Sequence, residues 1–185
     1  MVRAWKIKES ELDENKWDKS VENISYLDLE TVRQSTGVLY WQLDADAYKE
    51  DGSLEKIRKD RGYSYEDEIE VSSDKLPNFE MMIKKFANEH LHTDEEIRFI
   101  LDGKGYFDVR EGITDEWVRI EVVKGDLIIL PAGIYHRLVL DPARYIKAKR
   151  LFVGEPVWTA YDRPADEMEA RQKYLSEIKE ANRSA

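Results

Sequence analysis

Short runs of apolar and β-branched residues recur through the second half of the chain, and they constrain its fold more than any other feature. Seven such runs lie between residues 95 and 157, with turn residues between them at a spacing of roughly ten residues. They span residues 97–101, 105–110, 117–123, 127–130, 136–140, 145–152 and 156–158. Short strands with frequent turns are typical of sandwiches and barrels. The chain is therefore predicted to be mainly β, with a barrel at its centre.

The segment before this barrel is polar and mixed, and it favours helical or irregular structure. Residues 53–61 predict a short helix, with Ser53 as its N-cap and Gly62 just past its end. Residues 38–43 are rich in aromatic and branched side chains, and they predict either a strand or a buried turn.

Two further helices are predicted next to the barrel. Apolar residues at positions 79, 82, 83 and 86 have the i, i+3, i+4, i+7 spacing of a helix that runs from Pro77 into Glu89. Residues 162–181 form an amphipathic pattern with Pro164 near its first turn, and residues 182–185 are expected to be disordered. We expect one domain over residues 1–185. Its parts are a helical and irregular segment (1–78), the barrel (about 79–160), and a helix and tail (161–185).

Composition limits the chemistry that this barrel can carry. The chain has 185 residues and no cysteine, which excludes disulfides, thiolate metal sites and cysteine nucleophiles. A bound metal would have nitrogen and oxygen ligands, which suit iron, nickel, manganese, zinc or copper. A formal net charge of −10 argues against nucleic acid and anionic membranes as partners. No apolar run reaches the roughly 20 residues that span a bilayer, and no secretory signal is recognised, so an intracellular location is expected.

All three histidines of the chain lie in two short segments. His90 and His92 are two residues apart, so in extended backbone both point to the same side and can bind one ion. Glu96 can add a carboxylate oxygen, and His136 can arrive on another strand. Three nitrogens and one oxygen leave about two positions of a six-coordinate metal open for substrate or dioxygen. The alternative is that these are unrelated surface or core histidines beside a solvated acidic turn at residues 94–96.

The spacing of these residues matches two motifs. The first, His-x-His-x3-Glu-x6-Gly, begins at His90 and ends at Gly103. The second, Gly-x5-Pro-x-Gly-x2-His, begins at Gly125 and ends at His136. Both resemble the cupin superfamily, and this implies a jelly-roll β-barrel that carries its metal inside. The expected fold is therefore a cupin barrel with additional N-terminal and C-terminal helices.

Further segments resemble one cupin family, the acireductone dioxygenases. They span residues 37–41, 75–78, 89–98, 105–110, 124–128, 130–137 and 150–158. The resemblance implies that His90, His92, Glu96 and His136 bind one metal ion per chain, and that this ion is Fe(II) or Ni(II). It also implies an enzyme of methionine salvage and so of methionine biosynthesis.

The implied substrate is 1,2-dihydroxy-5-(methylthio)pent-1-en-3-one, which reacts with O2. In this family the bound metal determines the products. With Fe(II) they are 4-methylthio-2-oxobutanoate and formate, and with Ni(II) they are 3-methylthiopropanoate, formate and carbon monoxide. The sequence leaves the metal open, because the general affinity order for divalent ions favours nickel whereas availability favours iron.

One arginine is a candidate for catalysis. Arg98 has the same parity as Glu96, so in a strand both side chains point into the barrel. There the guanidinium can pair with the enediolate and favour its ionised form. The alternative is a salt bridge from Arg98 to Asp94, Glu95 or another carboxylate.

Three apolar residues are candidates for the substrate pocket. By resemblance, Phe86 and Phe107 line the pocket, and Leu138 occupies a position where many relatives carry phenylalanine. The alternative is that all three are core residues without a role in binding.

Two other functions stay open at this point. The metal site alone would suit a different cupin enzyme, such as another dioxygenase or a metal-dependent isomerase. A non-catalytic cupin that binds a partner is the second alternative. We expect acireductone and O2 as the ligands, no insertion into membranes, and a monomer that is found in the cytoplasm and also in the nucleus.

Overall fold

The computed structural model describes residues 3–9 and 24–183, and these residues form ten strands and five helices. The strands are β1 (Arg3–Ile7), β2 (Leu39–Gln42), β3 (Tyr65–Val71), β4 (His90–Leu91), β5 (Glu96–Arg110), β6 (Trp117–Val123), β7 (Asp126–Leu130), β8 (His136–Leu140), β9 (Ile146–Phe152) and β10 (Tyr161–Asp162). The helices are α1 (Leu29–Thr36), α2 (Tyr48–Asp51), α3 (Ser53–Arg61), α4 (Phe79–Ala87) and α5 (Glu169–Arg183). Among the described helices, none is long and apolar enough to cross a membrane.

The strands form two antiparallel layers that share β5. Residues 96–103 of β5 lie in the order β2-β7-β5-β9-β3, and residues 104–110 lie in the order β1-β6-β5-β8-β4-β10. The inward-facing side chains of both layers form a common apolar cluster. Two antiparallel layers around one interior make a barrel, so the mainly β prediction is confirmed.

The length of β5 differs from the prediction. The sequence suggests two strands separated by a turn at Asp102 and Gly103, whereas the structure has one strand of 15 residues. Its pairing with β9 shifts register between Ile100 and Asp102, and Gly103 has a φ of +78°. A Cβ atom at Gly103 would lie 2.4 Å from the Tyr145 carbonyl oxygen. The glycine therefore bends β5 from one layer into the other without ending it.

The N-terminal segment was predicted to be helical and irregular over residues 1–78, and this is wrong for three stretches. β1, β2 and β3 pair with β6, β7 and β9 respectively, so they belong to the barrel. β3 alternates acidic residues with partly buried ones, and its many charges conceal the alternation. The open choice at residues 38–43 is decided in favour of a strand, β2.

The helix predictions hold with changes at the ends. α3 spans residues 53–61 and ends at Gly62 in the left-handed conformation, but Gly52 rather than Ser53 is its N-cap. α4 begins at Phe79 and ends at Ala87, because Asn88 is already extended and leads into β4.

The C-terminal helix starts later than predicted. Residues 161–162 pair with β4 as β10, and α5 begins only at Glu169. It continues to Arg183, so Asn182 and Arg183 are helical, while residues 184–185 lie outside the described residues. The run at 156–158 forms no strand and belongs to an irregular segment after β9.

Opposite faces of β5 and β7 pack against different clusters. Ile128 and Leu130 of β7 point into the barrel, whereas Leu127 and Ile129 point outward and pack under α3. Each fully buried side chain of this size contributes about 1.5–3 kcal/mol to folding. Glu96 and Arg98 stand opposite Leu130 and Ile128, so the two charged side chains share the inner face.

Candidate metal centre

The three histidines meet at one place in the barrel. His90 on β4 and His136 on β8 are cross-strand partners, and His92 follows directly after β4. One ligand atom from each ring lies within 4.8 Å of the other two. The strand pairing, rather than the spacing in sequence, therefore brings His136 to the other two rings.

Each imidazole ring is held by one hydrogen bond to the backbone. His90 Nδ1 lies 2.7 Å from the Asn88 carbonyl oxygen, and His136 Nδ1 lies 3.0 Å from that of Ile134. His92 Nδ1 lies 2.7 Å from the carbonyl oxygen of Thr159. A carbonyl oxygen only accepts, so each Nδ1 carries the proton and each Nε2 keeps its lone pair. Each neutral ring is therefore in the tautomer in which Nε2 can bind a metal ion.

Glu96 completes the donor set on the inner face of β5. Its Oε2 lies 3.1 Å from His92 Nε2 and 3.4 Å from His136 Nε2. Two ligand atoms at about 2.1 Å from one ion, at right angles, lie about 3 Å apart. His136 Nε2 is buried and has no hydrogen-bond partner among the described residues. An orphaned buried nitrogen next to a carboxylate and two more imidazoles fits a cation better than it fits a hydrogen-bond network.

The surroundings favour a neutral His90 and an ionised Glu96. Burial, together with the neighbouring His136, lowers the pKa of His90 to about 4. Burial would raise the pKa of Glu96, but the charge of Arg98 and the close contacts with His136 and His92 outweigh burial and hold it well below its usual range. Burial likewise disfavours a proton on His92, but the hydrogen bond to Glu96, the charge of Glu96 and the hydrogen bond to Thr159 together outweigh burial and raise the pKa. In the metal-free site, Glu96 therefore favours a proton on His92.

Arg98 lies beside this cluster, as its parity with Glu96 predicts. Its Nη2 is 3.5 Å from Glu96 Oε2, and its Nη1 donates to the Ile97 carbonyl oxygen at 3.0 Å. The sequence left the salt-bridge partner of Arg98 open, and in the structure this partner is Glu96, a carboxylate of the candidate metal centre. Burial lowers the pKa of the guanidinium. The contact with Glu96 is long, so the donors of Arg98 are not saturated by that carboxylate.

A surface groove reaches the candidate metal centre at His92. The space between atoms there, including open solvent, is about 210 Å³. The lining side chains are His92, Asp94, Glu95, Glu96, Arg98, Phe152, Val157 and Trp158. One side is charged and the other is apolar, which suits a small anionic ligand that also carries an apolar group.

Trp158 is a functional candidate that the motifs did not identify. Its ring lies 4.1 Å from the guanidinium carbon of Arg150 and 5.7 Å from that of Arg98. Arg150 is in turn held by Asp67 through contacts of 2.7 and 2.5 Å. Residues 150–158 are part of the acireductone dioxygenase resemblance, but no spacing rule places a residue of an irregular segment over a barrel arginine.

Glu95 also lines the groove, and its partners lie on α3 and just after it. Arg61 Nη2 donates to Glu95 Oε1 at 2.7 Å, and the Tyr63 hydroxyl donates to Oε2 at 2.8 Å. Both oxygens of the carboxylate are occupied. The arrangement favours a structural role for Glu95 over proton transfer.

The three predicted pocket residues lie in the barrel interior. Phe107 and Leu138 are cross-strand partners on β5 and β8, and the next pair on the same face is Val109 with His136. Phe86 on α4 packs against the same cluster. None of the three lines the groove, so their place is the apolar interior beside the histidines, and a role in the pocket stays a prediction.

Comparison with known proteins agrees with this geometry. The family model ARD/ARD′ matches residues 3–160. An acireductone dioxygenase from Ixodes scapularis is 56% identical, over 97% of this chain and 98% of the relative. An acireductone dioxygenase from Homo sapiens is 61% identical, over 80% of this chain and 81% of the relative.

A solved structure shares the fold. An acireductone dioxygenase from Bacillus anthracis, which has a cadmium ion in its active centre, superposes with a TM-score of 0.68. It covers 86% of this chain and 97% of its own length, at 23% identity. The predicted cupin-type barrel is confirmed by this match. Because the similarity extends over nearly the whole length, the chain belongs to the ARD/ARD′ family, the family of the acireductone dioxygenases.

Proposed function

We propose that this chain is an acireductone dioxygenase that uses one Fe(II) or Ni(II) ion held by His90, His92, Glu96 and His136. The observation that carries the proposal is the convergence of three imidazole ligand atoms and one ionised carboxylate in one site. Nitrogen and oxygen donors of this kind suit divalent iron or nickel. A non-catalytic cupin would have no need of the full donor set, and the family relationship argues against other cupin enzymes.

The metal, when bound, would supply open coordination positions for two substrate oxygens. The identity of the metal ion determines the reaction products. With Fe(II), 1,2-dihydroxy-5-(methylthio)pent-1-en-3-one and O2 give 4-methylthio-2-oxobutanoate and formate. With Ni(II), they give 3-methylthiopropanoate, formate and carbon monoxide. The atoms of one O2 are incorporated in both cases.

The protein's own residues bind and orient the substrate. Arg98 presents a buried positive charge at the end of the groove, where it favours the ionised enediol and fixes its position. Phe152, Val157 and Trp158 form the apolar side of the groove and exclude water from the site. The backbone carbonyls at the three Nδ1 atoms keep the imidazoles oriented toward the ion.

The test begins with elemental analysis of the untagged protein, followed by oxygen uptake with acireductone. We expect one iron or nickel per chain, and uptake of O2 after reconstitution with either ion. Products are then measured for each metal, and carbon monoxide should form only with Ni(II). Protein that binds one metal ion but does not consume O2 with acireductone would contradict the assigned substrate. The monomeric state and the cytoplasmic and nuclear location stay predictions.

A further inference from the structure

One turn of the backbone contacts two of the three histidines. It spans residues 131–135 and leads into β8. Its Gly133 N–H donates to the His92 carbonyl oxygen at 2.9 Å, and its Ile134 carbonyl oxygen accepts from His136 Nδ1 at 3.0 Å. A displacement of this turn would therefore move His92 and His136 together.

The start of α5 lies directly against this turn. Gly133 has a φ of +79°, and a Cβ atom there would lie 2.2 Å from the Ala170 carbonyl oxygen. Only glycine permits the helix and the turn to approach so closely. From the next residue of α5, Arg171 Nη1 donates to the Gly133 carbonyl oxygen at 3.2 Å.

Arg171 is itself buried between two aromatic rings. Its side chain is 4% exposed, and its guanidinium carbon lies 4.4 Å from the ring of Tyr135 and 5.4 Å from that of Tyr174. Its Nε lies 3.7 Å from a carboxylate oxygen of Asp166. Burying a guanidinium costs free energy that an apolar residue would avoid, and here the contact with the nearest carboxylate is long, so the ion pair with Asp166 alone gives little reason for the charge.

The helix lies outside the part of the chain that the family model matches, which ends at residue 160. We propose that Arg171 is a positioning residue for the metal centre, which acts by fixing the Gly133 turn and through it His92 and His136. This inference rests on the proposed metal site. Arg171 touches neither the ion nor the substrate, and its effect is on the orientation of the ligands.

The test compares two variants of the full chain after removal of metal. Arg171→Met removes the hydrogen bond to Gly133 but keeps an apolar stem against the two tyrosines. Ile178→Ala is the matched control, because Ile178 is a buried residue of the same helix that packs at Gly37 and Gly112 and has no polar atom in its side chain to hydrogen bond to the turn. The Kd for Ni2+ is measured by competition with a chelator, and the Tm of the metal-free protein is measured in parallel.

We expect Arg171→Met to weaken Ni2+ binding roughly tenfold, as is usual for residues that orient metal ligands. Ile178→Ala should lower the Tm and leave the Kd for Ni2+ close to that of the unaltered protein. An unchanged Kd in Arg171→Met, or an equal loss of affinity in both variants, would overturn the role of Arg171. If Arg171→Met does not fold, Arg171→Gln is measured in its place with the same two outcomes. If the unaltered protein binds no Ni2+, the proposed metal site fails as well.

Discussion

Two buried carboxylates on β5 face arginines, and they differ in how fully they are paired. Asp108 on β5 is fully buried and accepts from Arg119 at 2.7 and 2.8 Å and from Arg137 at 2.8 Å. Glu96, on the same strand, has only a 3.5 Å contact with Arg98 and otherwise faces imidazole nitrogens. Short contacts that saturate both oxygens indicate a structural ion pair, whereas incomplete pairing indicates a site for a cation.

The comparison teaches that burial and charge alone do not distinguish a functional carboxylate from a structural one. The two are distinguished by whether a neighbouring polar atom lacks a hydrogen-bond partner. At the Glu96 cluster, the buried His136 Nε2 lacks a hydrogen-bond partner among the described residues. At Asp108, the strand register places Arg119 and Arg137 directly opposite, so the pairing is complete without any further group.

The largest expected effect is that of His136→Ala. Loss of a direct ligand should weaken metal binding by more than about 100-fold, since even residues that only orient ligands cost 10–100-fold. Elemental analysis should find little metal, and O2 uptake with acireductone should be lost. A variant that retains one metal ion per chain would remove His136 from the ligand set.

Asp108→Asn should lower stability without changing metal binding, whereas a change at the metal centre should weaken metal binding. Two buried arginines would lose their counter-charge, so unfolding should become easier by about 3 kcal/mol. Denaturation in urea measures this change, and the Kd for Ni2+ of the folded protein should stay the same. Strongly weakened metal binding in the folded variant would mean that the two clusters are coupled.

Arg98→Met should affect substrate more than metal. We expect kcat/KM for acireductone to fall about 30-fold, because a buried charge-assisted interaction with the enediolate is lost. Metal content should change little, and Arg98→Lys should recover part of the activity because it restores the charge. Full turnover in Arg98→Met would leave only the ion pair with Glu96 as its role.

The most gradual expected effect is that of pH on metal binding. Because the hydrogen bond to Glu96 raises the pKa of His92, the metal-free site binds a proton that the metal must displace. Below that raised pKa the affinity for Ni2+ should fall by up to about tenfold per pH unit, and above it the affinity should level off. His90, with a pKa of about 4, is neutral over this range and adds no second step. Affinity that is independent of pH between 5 and 7 would contradict a protonated His92.

Much of the fold could be predicted because local periodicity reports it. The bounds of α3 follow from glycine placement, the presence of α4 follows from the spacing of its apolar residues, and β6 and β8 have the predicted limits. β3 was missed because its acidic residues hide the alternation, and β5 was divided in two because a glycine within a bent strand resembles a turn.

The candidate ligands were all identified in the sequence, since histidine is rare in this chain and its spacing is specific. The groove was not. Trp158 lies in an irregular segment with no periodicity, and its contacts with Arg98 and Arg150 arise only when β9 has paired with β5.

The sequence by itself determined which residues can donate to a metal and that they belong to a barrel, because residue chemistry and the period of a strand are local properties. Tertiary structure decided how these donors are used. It placed His136 opposite His90, left Glu96 incompletely paired while Asp108 was saturated, and set α5 against the Gly133 turn. These features depend on strand register and on helix docking, which join residues far apart in the chain and have no local signal.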